Sequence, residues 1–207
     1  MEEVLDVYSR EYDPLYPVVC FDESPKQLVS EVRTSYIDEQ GIKYQDCEYK
    51  REGAVELFMI VEPLGKQRKV FIEEDHTGNT WAKTVAYIAE EIYPDAKKIT
   101  LVEDNLSAHK RYNLYNVFDP KRAKEIINRI EFVYTPKHGS WLNIAECELS
   151  VLKRQALDDR FESKEVLQKQ VNAWVKNRNN AQKGVNWQFK TKDARIKLKK
   201  LYPTILM

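Results

Sequence analysis

The stretch TPKHGSWLNIAECELSVLKRQAL, residues 135–157, reads as a turn that launches a helix carrying a glutamate toward the interior. Pro136 and Gly139 punctuate a loop, Ser140 can cap a helix, and neither Gly nor Pro interrupts the run from there through Leu157. At about 100° per residue, Leu142, Ala145, Leu149, Leu152 and Ala156 share one side, the core-facing stripe. Glu146 sits at the flank of that stripe, one turn from Leu142 and Leu149, whereas Glu148 points well away from it. A carboxylate aimed at a core edge costs free energy unless a cation or a proton compensates it. Glu146 therefore requires a partner from elsewhere in the chain or from a bound cation.

Composition bounds the answer. With 207 residues, 43% of them apolar, the chain can build one domain with a full core. Its formal net charge of +0 excludes a global polycation. Charge is unevenly spread, however: residues 1–60 hold 14 acidic and 6 basic side chains, and residues 181–207 hold 7 basic and 1 acidic. An acidic first third and a basic tail suit metal-binding carboxylates beside a phosphate-binding surface, although solvated surface charge accounts for most of these residues in either case. Cys20, Cys47 and Cys147 are odd in number, far apart and form no CxxC pair, which argues against structural zinc and for a reducing compartment. No apolar run approaches about 18 residues and no basic-then-apolar leader follows Met1, so a soluble, cytoplasmic protein without a membrane segment is expected.

In chain order, residues 1–16 suggest a short helix and a linker into the first strand. VVCFDE, Val18 to Glu23, is a buried strand that delivers carboxylates at its end, and the following SPK is expected to close it with a turn. QLVSEVR then reads as a second strand, Tyr36 to Gly53 as a polar loop or lid, and AVELFMIVEPLG and RKVFIEE as two strands joined by a turn at Pro63 to Gly65. The period changes next: Trp81, Val85, Ile88, Ala89 and Ile92 mark a helix over Thr80 to Tyr93 that Pro94 stops. KKITLVEDN is a strand ending in acids, a helical segment broken by Pro120 leads to the strand IEFVYTP, and then comes the helix of residues 135–157. Helices between strands imply parallel additions to the sheet. Ser163 to Asn179 is amphipathic, with Leu167, Val171, Trp174 and Val175 on one stripe, and Thr191 to Leu201 is basic and helical.

Three acids stand at element ends that this topology can bring together: Asp22, Asp104 and Glu146. No Lys, Arg or His is evident between them, so they repel unless a hard divalent cation sits among them, and oxygen-only ligands suit Mg²⁺ or Mn²⁺. Two such ions about 4 Å apart serve phosphoryl transfer on nucleic acid. For any one acid alone an exposed turn residue is an equally good reading. Asp22 and Glu23, like Glu103 and Asp104, are adjacent and face opposite ways in a strand, which leaves the pointing member of each pair open.

VVCFDESPKQL, LVEDNLSAH and TPKHGSWLNIAECELSVLKRQ together resemble the catalytic core of bacterial insertion-sequence transposases of the mariner-like superfamily, the IS-six-thirty group. The resemblance runs from about Tyr16 through DARIKLKKLYP. It implies a ribonuclease-H-like, retroviral-integrase-like α/β fold: a mixed sheet of about five strands flanked by helices. It also implies a DDE triad of Asp22, Asp104 and Glu146 as catalytic residues and ligands to two Mg²⁺ or Mn²⁺ ions. Under it, Asn105 and His109 match a DNxxxH pattern. His138 and Trp141 lie in the HGSW stretch that leads into the helix, Asn143 in the LNxxE block that ends at Glu146, and Lys153 two turns beyond Glu146; all six are candidate DNA contacts. His109 can equally orient a carboxylate or pack near the sheet end, Lys153 can simply be a snorkelling surface lysine, and Trp141 can stack on a splayed base or anchor the core.

The implied activity is metal-dependent cleavage of DNA at transposon ends and transfer of the 3′-hydroxyl into TA-containing target DNA. The alternatives are a nuclease that only hydrolyses and a non-catalytic regulatory or dimerising remnant. The expected layout is a lead-in over residues 1–16, a catalytic domain over 17–180 and a basic tail over 181–207 packed on the same domain. The expected partners are DNA, a second copy of the chain in a homodimer, and a helix-turn-helix module: the chain begins about 20 residues before Asp22, too few to hold one, so the module is separately encoded or the chain is a truncated copy or an excised domain. The site of action is the cytoplasm, at the nucleoid. Alone, the domain is expected to bind DNA weakly and with little sequence preference.

Overall fold

The computed structural model describes residues 1–137 and 139–202. Its centre is a five-stranded mixed sheet in the order β5-β4-β1-β6-β7. β1 (Val18–Glu31), β4 (Tyr49–Glu62) and β5 (Gln67–Glu73) are antiparallel neighbours. β6 (Ile99–Glu103) and β7 (Ile130–Tyr134) add to the other side of β1 in parallel. A two-stranded hairpin, β2 (Tyr36–Ile37) and β3 (Lys43–Tyr44), rises from the polar segment expected to be a loop or lid.

Helices cover both faces, so the inner strands are buried on both sides where they cross the core: Val19 to Phe21 of β1, Leu57 to Val61 of β4 and all five residues of β6. One face packs α2 (Gly78–Tyr87), its π-helical continuation Ile88–Ile92, α3 (Tyr112–Val117) and α4 (Pro120–Arg129) over Val19, Phe21 and Leu101. The other packs α1 (Glu2–Tyr8), α5 (Ile144–Ala156), α6 (Lys164–Asn180) and α7 (Thr191–Lys197) over Cys20, Met59 and Val102. The expected stripes are buried in these cores: Trp81, Val85, Ile88 and Ala89 in α2 and its continuation, and Leu142, Ala145, Leu149, Leu152 and Ala156 at and along α5. Val4, Leu5, Val7 and Tyr8 of α1 belong to the same core, and the Tyr8 hydroxyl donates to the Leu142 carbonyl at 2.8 Å. All three cysteines are free. Among the described residues no helix is long and apolar enough to cross a membrane.

Two expectations are corrected. The SPK segment does not turn: β1 continues through it as one strand of 14 residues, with Pro25 opposite Glu56. β6 pairs with β1 only from Val18 to Cys20, so beyond that point β1 has β4 alone beside it, and a proline lacking an N–H is tolerated on such a one-sided stretch. Nor does Ser140 cap α5. Ser140–Leu142 form a separate 3₁₀ turn, and the cap is Asn143, whose side chain accepts from the Ala145 amide at 3.1 Å.

The segment after α5 returns to the one-sided stretch of β1. There the Val29 amide donates to the Phe161 carbonyl at 2.7 Å and the Lys26 ammonium donates to the Leu157 carbonyl at 2.8 Å. The face of α5 that carries Glu148 is also buried. Glu148 accepts from Arg68 of β5 at 2.7 Å and from Arg178 of α6 through two bonds at 2.7 and 2.8 Å.

Candidate active site

The register of β1 and β6 builds the site. Their last parallel pair is Cys20 with Val102, so two residues further along each chain come Asp22 and Asp104. Both share the face of Cys20 and Val102, the face that packs α5, because side chains two apart in a strand point the same way. Asn143 brings the third acid. Its side-chain amide donates to the Phe21 carbonyl of β1 at 2.8 Å while its oxygen caps α5, which sets Glu146, in the first helical turn, against the strand bearing Asp22. Asp22, Asp104 and Glu146 line one open pocket together with Glu23, Ser140, Asn143 and Lys153.

Burial and the crowding of like charges act together on Asp22. Burial pushes the Asp22 carboxyl up to about 7, and the neighbouring charges of Glu23, Asp104 and Glu146 push in the same direction against the Glu23 amide it accepts from. Oε2 of Glu146 and Oε2 of Glu23 are buried and have no hydrogen-bond partner.

The adjacent acids divide by face. Glu103 turns to the α2 side, where its carboxylate accepts from the Trp81 indole at 2.8 Å; burial raises it to about 8 despite the pull of His109 and that indole. Glu23 shares the α2 side with Phe21 yet still reaches the pocket rim. The expectation that no His stands among the carboxylates is corrected by His109. It is 1% exposed, with Nε2 at 3.1 Å from Glu23 Oε1 and Nδ1 at 2.7 Å from Asp104 Oδ1. Burial alone would depress its pKa, but the bonds to Asp104 and Glu23, with the charge of Glu103, lift it to about 11. Sequence distance hides this link: Glu23 and His109 are 86 residues apart.

The donor set fits a hard divalent cation, being three carboxylates with a buried, unpartnered oxygen among them. As the side chains stand, no group of three or more His, Cys, Asp or Glu among the described residues lies close enough to hold an ion. The acids converge on one pocket and would have to draw together on loading.

The candidate DNA contacts separate. Asn143 and His109 are buried with their polar atoms committed inside the protein, so neither is free to meet a phosphate. Asn105 is exposed and accepts from Lys110, and Lys153 is exposed at the pocket rim. His138 lies outside the described residues. Trp141 does not anchor the core: it is 42% exposed, stacks on Trp187 with centroids 6.4 Å apart and meets the edge of Phe189 at 5.9 Å. Sequence reasoning missed Trp187 and Phe189, whose only advance signal is their place in the basic tail segment.

Solved structures share this architecture. The Mos1 transposase paired-end complex with left transposon end is similar with a TM-score of 0.59 and 16% identity, over 88% of this chain and 55% of that one. The Mos1 mariner paired end complex with Mn gives 0.54 and 18%, over 85% and 52%. The catalytic domain of Mos1 mariner transposase gives 0.52 and 14%, over 84% and 76%. The likeness shows a ribonuclease-H-like fold, and the chain spans about half the length of the Mos1 chains in the two complexes. No curated protein matches it in sequence. The sequence model of the DDE superfamily endonucleases matches residues 17–168, most of the chain, and the chain belongs to that family.

Proposed function

We propose that this protein is the catalytic part of a transposase of the bacterial IS-six-thirty group, which cleaves DNA at the ends of its element and joins the freed 3′-hydroxyl to TA-containing target DNA. The observation that carries the reading is the meeting of Asp22, Asp104 and Glu146 in one pocket, with Glu146 Oε2 buried and unpartnered. Family membership and the Mos1-like fold support it. Asp22, Asp104 and Glu146 would hold the Mg²⁺ or Mn²⁺ ions, two by this reading, which when bound supply positive charge to the reacting phosphate.

The chain's own residues do the placing. Asp22 Oδ1 accepts from the Glu23 amide and Asp104 Oδ1 from the Leu106 amide, so Oδ2 of each stays uncommitted. Asn143 holds the start of α5 against β1 and thereby orients Glu146. Lys153 at the rim would neutralise a DNA phosphate, and Trp141 with Trp187 and Phe189 would offer aromatic faces to an unstacked base beside it. On this reading residues 17–180 are the catalytic domain, 1–16 its lead-in and 181–207 a basic tail packed on it. The active form is a homodimer working on DNA in the cytoplasm, and a helix-turn-helix module supplies recognition of the ends.

The test supplies pre-cut element ends, a TA-containing target duplex and Mg²⁺ or Mn²⁺. Joined product is expected from the wild type and not from Asp22→Asn, Asp104→Asn or Glu146→Gln. Nicked target without joining would make the protein a nuclease that only hydrolyses. No reaction even with a helix-turn-helix module supplied would make it a non-catalytic remnant.

A further inference from the structure

We propose that Glu23 and His109 are positioning residues for this reaction, a carboxylate–imidazole–carboxylate chain that fixes the side chain of Asp104 and references it to β1. The inference rests on the triad reading above. Asp104 lies just past the last residue of β6, and its side chain is 31% exposed. What restrains its carboxylate is the His109 Nδ1 at 2.7 Å, together with the Leu106 amide.

His109 can hold Asp104 only if it is itself held. Its Nε2 lies 3.1 Å from Glu23 Oε1, while Nδ1 faces both the Asp104 carboxylate and, at 3.1 Å, the Asp104 backbone carbonyl, so both ring nitrogens are engaged. The ring is also wedged between Phe21, edge-on at 5.6 Å, and Trp81, stacked at 5.9 Å. Its backbone carbonyl accepts from the Tyr134 hydroxyl at 3.3 Å. These contacts restrain the ring that holds Asp104.

Glu23 completes the chain because it neighbours Asp22 on β1. The position of Asp104 is thus measured from the strand that carries the first acid, across the gap where β1 and β6 no longer pair. A merely structural ion pair would satisfy its carboxylate, yet Glu23, 8% exposed, leaves Oε2 buried and unpartnered at the pocket. Groups that orient metal-binding side chains typically change metal affinity about 10–100-fold when removed.

The experiment titrates Mn²⁺ into the DNA-free protein by calorimetry, alongside thermal melting and strand-joining kinetics. His109→Gln and Glu23→Ala should each weaken Mn²⁺ binding about 10–100-fold. Their turnover should fall while the KM for DNA holds, and Glu23→Gln, which keeps an acceptor oxygen for the ring, should recover part of both losses. If His109→Gln does not fold, the two Glu23 variants carry the comparison. Wild-type Mn²⁺ affinity in folded His109→Gln or Glu23→Ala, with affinity lost in Asp104→Asn, would overturn the positioning role and leave the triad standing. Wild-type affinity in Asp104→Asn would overturn the triad reading, and the positioning role with it.

Discussion

Asn143 is bonded at both ends of its side chain, to the Phe21 carbonyl of β1 at 2.8 Å and to the Ala145 amide of α5 at 3.1 Å. One buried residue therefore joins the strand that carries Asp22 to the helix that carries Glu146. Asn143→Ala removes a helix cap and leaves a buried carbonyl unpaired, an expected loss of about 2–3 kcal/mol. Urea unfolding gives that figure. Under conditions where the variant stays folded, strand joining should still fall, because Glu146 loses its registration against β1; Asn143→Asp, which can cap but cannot donate to Phe21 when ionised, should lose joining as well.

Asp22 makes the ion-free fold sensitive to pH. Its folded pKa, about 7, lies above the ordinary 3.8, so the folded state binds the extra proton and stability falls as pH rises through that window. Asp22→Asn should therefore melt above the wild type at pH 8, with the gap closing toward pH 4. Adding Mg²⁺ at pH 8 should raise the wild-type melting temperature and leave Asp22→Asn nearly unmoved, since a ligand stabilises only the state that binds it. Melting curves across pH, with and without Mg²⁺, check both statements.

Glu148 behaves in the opposite sense. Burial would raise its pKa, but the bonds from Arg178 and Arg68 outweigh burial and hold it below the ordinary 4.5. Its contribution is complete above about pH 4.5, where the unfolded carboxyl ionises, and is lost as pH falls through the depressed folded value. Glu148→Ala strands the buried Arg68 guanidinium and should cost about 3–5 kcal/mol at pH 7. Denaturant titrations should show the difference from wild type shrinking below pH 4; a constant difference down to pH 2 would exclude the ion pair as its source.

Trp141 offers a test of the surface beside the pocket. Trp141→Ala should weaken binding to single-stranded or end-frayed DNA by about 10-fold or more, in line with about 1–3 kcal/mol for a base stacked on an aromatic ring. Intact duplex should feel it less, and the melting temperature should change little, since the side chain is half exposed. Fluorescence anisotropy with the two DNA forms separates these effects.

Much of this architecture is legible in residue spacing. The stripe of α5 follows from a 3.6-residue period, and the placement of helices between β1, β6 and β7 requires parallel strands, which is what forms. Local signals failed where tertiary neighbours decide. Ser24, Pro25 and Lys26 have turn propensity, but β4 pairs with them residue for residue and keeps β1 straight. Ser140 and Asn143 are both good caps, and the carbonyl of Phe21, 122 residues away, selects Asn143. For the same reason the DNxxxH spacing that marks His109 does not name Glu23 as its far partner, and the Arg68–Glu148–Arg178 cluster has no signature in sequence. Each joins elements far apart in the chain, and no periodicity reports who will face whom.

The attachment of α5 has a mechanical meaning. The helix is fastened near its start through Asn143 to Phe21 and just past its end through Leu157 to Lys26, and both anchors lie on β1, only five positions apart. A beam fixed at two points on one rail cannot pivot about either. Any hinge that lets DNA enter must then lie elsewhere, and α5 with β1 would travel as a single rigid piece. The spacing of Asp22 and Glu146 is a dimension of that piece, and Asp104, borne on a different strand, is tied to it only through His109 and Glu23.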